Sequence, residues 1–403
     1  MTLRPAMFAA WVAVFSALGP FTVDMYLSAF PDLASQLHAS PAVIQLSLTM
    51  GMLGLACGQA AAGPLSDVWG RRRPLAWGMG LFTLASLGCA LSPNAACFVA
   101  MRWIQGCGAG AALSIPRAMV RDEFEGLALT RLYALTSIIG SVSPLISPLV
   151  GGMVLTAAGW RGIFWFLTAV GMVLLVMARF VLPETLPRAR RVSRSAGAPG
   201  TAYLAVLRDK TFTVYAVISG LYMGAIFAYV AGSPFVYETL YGLNPIVYSA
   251  VFASNGVGLM AAAQALRMLA PRVPVKRLLH GALWVGASAG LCACFTAGLH
   301  GPFPVLVGAL FVLNAANGFI GPACTSLAMQ NHGERAGTAS AVLGILPFLF
   351  GSITSPLPGV GGARDAWPFG LTILACAALC LCLMGLGRMG RAKTAPASDA
   401  SNL

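Results

Sequence analysis

The feature that most constrains this chain is a recurrence of apolar stretches, each long enough to cross a bilayer, which takes about 20 residues as a helix. Two of them set the pattern. Residues 41–63 and 75–91 carry no charge, and between them runs Gly63-Pro-Leu-Ser-Asp67-Val-Trp-Gly70-Arg71-Arg72-Arg73-Pro74. Hydrocarbon offers no water to backbone groups, so such runs are predicted to be helices that satisfy their own hydrogen bonds. The connection is too short to hold a domain. Its three successive arginines predict a cytoplasmic side, because arginine collects in short cytoplasmic loops. Gly63 and Gly70 are read as positions where a tight turn needs close backbone approach or unusual dihedrals, and Asp67 stands one helical turn from Arg71.

Composition extends this reading to the whole chain. With 58% hydrophobic and 9% charged residues among 403, a water-soluble domain is excluded and a polytopic membrane protein is predicted. Twelve spans are expected, at roughly 7–30, 41–63, 75–92, 96–116, 130–155, 161–182, 212–235, 246–269, 278–299, 303–328, 337–357 and 367–387. If the N-terminus lies inside, 22 of the 25 basic residues fall in cytoplasmic segments, leaving only Arg102, Arg161 and Arg364. Both termini are therefore expected in the cytoplasm. The net charge of +13 sits in short loops with no extended basic face, so it sets topology and no nucleic-acid partner is expected. The ten cysteines lie mainly in apolar stretches and are read as packing residues, with no metal site expected. Arg188 to Gly200 is basic and rich in Ser and Gly, and suits a flexible linker along anionic headgroups. The expected layout is a six-helix bundle over 1–183, a cytoplasmic linker over 184–210, a second six-helix bundle over 211–388 and a cytoplasmic tail over 389–403.

The pattern Gly63-x-Leu65-Ser66-Asp67-x-x-Gly70-Arg71-Arg72 resembles the loop signature between helices 2 and 3 of the major facilitator superfamily. Further segments extend the likeness: Val23-Asp24-Met25-Tyr26-Leu27, Arg102-x-x-Gln105-Gly106-x-Gly108-x-x-Ala111 and Met119-Val-Arg121-Asp122 are similar to the bicyclomycin and chloramphenicol resistance branch of its drug/proton antiporters. Ser147-Pro148-x-x-Gly151-Gly152 is similar to the antiporter signature of helix 5, with Ser in place of its first glycine. Leu27-Ser28 departs from the branch, where a proline usually follows the leucine. The resemblance implies an all-α membrane fold of two six-helix bundles and a monomer of the bacterial inner membrane. It implies efflux of small drugs by alternating access, powered by the proton gradient with no cofactor.

Asp24 is read as the one acid inside a span, about 9 Å from its outer end at about 1.5 Å per residue, and Arg102 is expected at the same depth. A charge in hydrocarbon costs at least about 2.5 kcal/mol, which makes each a candidate functional group. Asp24 can exchange a proton and Arg102 cannot. A static ion pair between them is the competing structural reading. The resemblance gives Arg102 an assisting role in proton transfer and gives helix 1 acids the binding of protons or cationic drug. Gln105, one turn from Arg102, extends a polar face, while Gly106 and Gly110 are expected to allow close helix contact. Tyr26, Gln105, Phe227, Tyr229, Asn255, Asn314 and Asn317 are the expected cavity residues, suited to an amphipathic drug. Asp67, Arg71 and Asp122 are expected to cluster at the inner ends of helices 2, 3 and 4. By analogy they gate that face, together with Gly63, Gly70, Pro144, Pro148, Gly151 and Gly152. An importer of a small metabolite shares the fold. An enzyme or sensor is disfavoured: no His-Glu-x-x-His or Gly-x-Ser-x-Gly element and no sizeable soluble domain occurs.

Overall fold

A computed structural model of the chain describes residues 5–124, 126–187, 191, 206–330, 336–362 and 364–392. Most of the expected linker and tail therefore lies outside the described residues. The long helices are α1 (Pro5–Asp24), α2 (Pro41–Trp69), α3 (Arg72–Ala90) and α4 (Ala95–Glu123). A continuous helical stretch, Gly126–Val176, is broken at Gly159, where φ is 69°, into α5 (126–158) and α6 (160–176). Then come α7 (Lys210–Pro234), α8 (Pro245–Leu269), α9 (Val275–Gly298), α10 (Phe303–Met329), α11 (Ala336–Thr354) and α12 (Trp367–Ala392). Asn94 and Asn244 start α4 and α8 by accepting backbone N–H bonds, and Pro41 and Pro245 occupy first-turn positions where no donor is needed. The helices form two six-helix bundles, α1–α6 and α7–α12. Among the described residues, nine segments are long and apolar enough to cross a membrane, one of them containing the α5–α6 break. The remaining two helices are α3, which begins with Arg72 and Arg73, and α4, which carries Arg102.

Close packing of α2 on α4 explains the glycines of that pair. A Cβ on Gly106 would collide with the Gly51 carbonyl and come within 2.9 Å of the Leu55 nitrogen, and one on Gly110 would lie 2.6 Å from the Gln59 nitrogen. The small-residue spacing thus brings two backbones together, as the sequence predicts.

The loop between α2 and α3 differs from its sequence reading. Helix α2 runs through Pro64 to Trp69, so Gly63 sits inside it, and nothing lies within 4 Å of where its Cβ would be. The turn is confined to Gly70, with φ at 86°, and Arg71. A side chain on Gly70 would also meet the Glu184 carboxylate and stand 2.6 Å from the Arg191 guanidinium. Gly70→Ala is therefore expected to destabilise the fold by about 1–2 kcal/mol, read as a lower melting temperature in detergent; Gly63→Ala, inside a helix with free space at its Cβ, should not lower that temperature.

Helix α1 also differs from a single straight span. It ends at Asp24, turns through Met25 and Tyr26, and resumes as a 3₁₀ turn at Leu27–Ala29 and a short helix, Phe30–Gln36. The break occurs without the proline usual in the resembling branch. Its seat is Gly151 of α5, where any Cβ would collide with the Met25 carbonyl. Gly152 faces the other bundle, 2.6 Å as a hypothetical Cβ from Ser249 Oγ on α8.

Candidate functional site

Arginines concentrate at the end of the molecule that carries the α2–α3 turn, opposite its far end. At the far end the two bundles are pinned together. Thr49 and Ser355 hydroxyls are 2.6 Å apart, Gln45 Nε2 donates to the Ala231 carbonyl at 3.2 Å, and the Phe30 and Phe235 rings lie 6.0 Å apart. From the depth of Asp24 toward the arginine end, a cavity of about 690 Å³ opens between the bundles. Ser16, Val23 and Asp24 of α1, Gln59 of α2, Arg117 of α4 and Pro144 of α5 contribute from one side. From the other come Phe227 and Tyr229 of α7, Asn255 of α8, Asn314 and Asn317 of α10, and Phe348 of α11. Its volume falls in the range of drug-sized sites, about 300–1,000 Å³.

Asp24 stands at the last residue of α1, where the chain leaves the helix and its carboxyl faces the cavity wall. It has no hydrogen-bond or ion-pair partner among the described residues. The amides around it are held in place: Asn255 Nδ2 donates to the Tyr229 hydroxyl at 2.7 Å, and Asn314 Nδ2 donates to the Leu310 carbonyl at 2.9 Å. Asn255 Oδ1 is buried without a partner among the described residues, so one acceptor faces the site unspent. Tyr229 stacks on Phe252 with centroids 5.5 Å apart, and Phe227 lies 6.1 Å from Phe348.

Arg102 does share the depth of Asp24, but the two form no ion pair, which removes the competing structural reading. The guanidinium is fully buried and turned away from the cavity. It donates to the Thr22 carbonyl at 2.8 Å and to Gln105 Oε1, and it lies 4.1 Å over the Tyr26 ring. Gln105 passes the network on, donating to Ser86 at 2.7 Å, and the Tyr26 and Ser47 hydroxyls lie 3.1 Å apart. Tyr26 and Gln105, expected in the cavity, are both fully buried behind α1 instead. The reason is geometric. Tyr26 follows the helix break and no longer keeps the helical register of Asp24, while Gln105 lies three residues from Arg102 and shares its inward face. Arg102 therefore clamps α1 on both sides of Asp24, at Thr22 and at Tyr26.

At the arginine end, Arg71 binds Asp67 at 2.5 Å and Asp122 at 2.7 Å, and also donates to Ser66 Oγ at 2.7 Å. Arg71 is 3% exposed, Asp122 12% and Asp67 43%. Burial alone would pull the Arg71 guanidinium down, but the two carboxylates more than offset it and hold it above its ordinary value. The sequence reading missed Glu184, which accepts the Arg71 backbone N–H at 2.7 Å. The only signal for it was an acid directly after the end of α6. All of these partners belong to α2–α4 and the segment after α6, so among the described residues the cluster stitches one bundle and does not reach across to the other. The structure places Gly151 at the α1 break, with Pro148 one turn earlier in α5, and neither is among the partners of this cluster.

Comparison with known proteins finds relatives among transporters. An uncharacterised MFS-type transporter of Bacillus subtilis strain 168, YdgK, is 40% identical over 351 residues, 87% of each chain. A bicyclomycin resistance protein homolog of Haemophilus influenzae is 27% identical over 366 residues, covering 91% of this chain and 92% of its own. A chloramphenicol resistance protein of Pseudomonas aeruginosa is 29% identical over 398 residues, covering 94% and 89%. Among solved structures, a D-xylose-proton symporter superposes with a TM-score of 0.71 at 18% identity, over 93% of this chain and 97% of that one; at that identity it speaks to fold alone. The family model described as Major Facilitator Superfamily matches residues 11–356, from the first turns of α1 past the end of α11. Spanning both bundles and the cavity between them, that match makes the chain a transporter, not an enzyme, and a member of the major facilitator superfamily.

Proposed function

We propose that this transporter exports small amphipathic drugs, of the chloramphenicol and bicyclomycin kind, in exchange for protons. The observation that carries the reading is Asp24: a carboxyl with no hydrogen-bond or ion-pair partner among the described residues, exposed to a drug-sized cavity whose other walls are mostly aromatic, aliphatic and amide, with Arg117 on α4. An unpaired carboxyl there is available to a proton or to a cationic group, and one cannot bind while the other holds it. The neighbouring rings and amides suit a substrate that is largely apolar with a few polar groups. The names of the relatives, bicyclomycin resistance and chloramphenicol resistance, favour drugs over nutrients.

The arginine distribution supports a bacterial inner-membrane orientation with the arginine end and both termini in the cytoplasm. In that orientation the cavity faces inward, and the far-end contacts of α1, α2, α7 and α11 close the outside. The Arg71 cluster then acts on gating by fixing the ends of α2–α4 as one body that rocks against the other bundle, with the six-plus-six division and its linker serving the same motion. Energy comes from the proton gradient alone, and the working unit is a monomer in lipid. The reading is tested by chloramphenicol accumulation in cells expressing the protein. Expressing cells are expected to accumulate less than controls, and a protonophore should erase the difference. A difference that survives the protonophore contradicts proton coupling.

A further inference from the structure

The amides of the second bundle carry information about what the cavity accepts. An asparagine inside a membrane span ordinarily bonds across to a neighbouring helix, because an unmatched amide in hydrocarbon is costly. Asn255 does so, through Tyr229. Asn314 and Asn317 of α10 have no comparable bond. Asn314 Nδ2 donates to the Leu310 carbonyl of its own helix, and Asn317 Nδ2 meets the Met223 thioether of α7 at 3.7 Å, where sulfur is a weak acceptor. Holding α10 against its neighbours therefore accounts for neither residue.

These partners also fix which way each amide points. A backbone carbonyl and a thioether cannot donate, so the NH2 group must face each of them and the amide oxygen must face away. Asn255 obeys the same rule: its Nδ2 also reaches the Phe252 carbonyl at 3.2 Å, and its Oδ1 is left without a partner among the described residues. The oxygens of Asn314 and Asn317 likewise have no partner among the described residues. All three residues line the cavity, and Asn314 and Asn317, three apart on one helix, share a face with Cβ atoms about 5–6 Å apart. This wall has spent its donors and kept its acceptors. Apart from Asp24, the opposite wall has the reverse character: Gln59 Nε2 on α2 is buried with no partner among the described residues, and Arg117 on α4 carries a cation.

We propose that the transporter selects its drugs by their hydrogen-bond donors: Asn314 and Asn317 accept hydroxyl or N–H groups from one edge of the drug, whose own acceptors turn toward Gln59 and Arg117. The substrate class is an amphipathic drug with donors spaced to meet both amide oxygens. A drug of the same size whose edge carries only acceptors is rejected, because it takes water from those oxygens and returns no bond. The inference rests on the drug-export reading of the cavity, but it concerns binding and needs no proton step.

The test is equilibrium binding to the purified protein in detergent, with no gradient, of chloramphenicol and of its analogues in which one or the other hydroxyl is replaced by fluorine. Each exchange removes a donor at nearly constant volume. Unmutated protein should bind chloramphenicol at least about tenfold more tightly than one of the analogues, the size expected when a buried acceptor loses its donor. The double variant Asn314→Leu/Asn317→Leu keeps the side-chain volume and gives up bonds only to a carbonyl of its own helix and to a thioether. It should bind chloramphenicol at least about tenfold more weakly and no better than the analogues. Equal binding of all three compounds by the unmutated protein overturns the inference without any variant, and so does a preference that survives in the double variant. Export of chloramphenicol from cells by a protein that shows no preference removes this inference and keeps the export reading; a preference in the purified protein with no export from cells does the reverse. Protein that binds none of the three compounds overturns both.

Discussion

Asp24→Asn is expected to abolish uphill drug export driven by a pH gradient while leaving binding of a neutral drug in place. The substitution mimics the protonated carboxyl at nearly constant volume, at a position where the side chain faces the cavity and has no protein partner to lose among the described residues. Little of the fold therefore depends on the charge. What depends on it is the exchange: with no carboxylate to receive a proton, nothing ties drug release to proton entry. Chloramphenicol should still exchange down its own gradient across vesicle membranes, but accumulation in inverted vesicles with an acid lumen should fall at least about tenfold, equivalent to about 1.4 kcal/mol of lost drive. Cationic substrates should lose affinity as well, because the countercharge is gone. Uphill transport by Asp24→Asn at the unmutated level would move the coupling site elsewhere.

The second large effect is expected at Arg102. Its planar fork bonds the Thr22 carbonyl and Gln105 together while lying over Tyr26. A lysine keeps the charge but offers a single point of donation, so at least one of those buried acceptors is left unpaired. That should cost about 1–3 kcal/mol of stability and release the clamp on α1 to either side of Asp24. Arg102→Lys is therefore expected to insert normally, melt at a lower temperature in detergent, and lose proton-driven export more than it loses downhill drug exchange. Equal loss of both would assign Arg102 to the fold alone.

How much of this was legible in sequence depends on whether a local rule fixed the answer. Spans follow from length and apolarity, and each expected span overlaps an observed helix, although α1 ends six residues early and α2 and α4 run six and seven residues past the expected ends. Gly70, Asp67 and Arg71 were readable because a turn residue and an i,i+4 pair are local. Gly63 was misread because Pro64 is tolerated inside α2, which carries the helix six residues past it. The direction of a side chain was less readable. Arg102 and Gln105 share a face by their spacing, but which neighbour that face meets is set by the rotation of α4, and the α2–α4 glycine contact turns it behind α1. Tyr26 was lost to the break after Asp24, whose cause is the Gly151 seat on another helix and not a proline within α1. The seventh span was expected to end at Phe235, but the helix widens and continues to Leu240, so Glu238 joins Asp24 as an acid within a helical run. The expected cavity residues on α7, α8 and α10 do line the cavity, since amides and aromatics in otherwise apolar helices seek the wetter interior.

The central claim, that this transporter exchanges drug for protons at Asp24, is tested most directly by following protons and drug together in one preparation. Purified protein in liposomes carrying a pH-sensitive dye is given a chloramphenicol gradient with no imposed pH difference. Chloramphenicol moving down its gradient should drive protons the opposite way, and the Asp24→Asn protein should move the drug without moving protons. Chloramphenicol crossing the membrane through the unmutated protein with no accompanying change in internal pH would contradict the account.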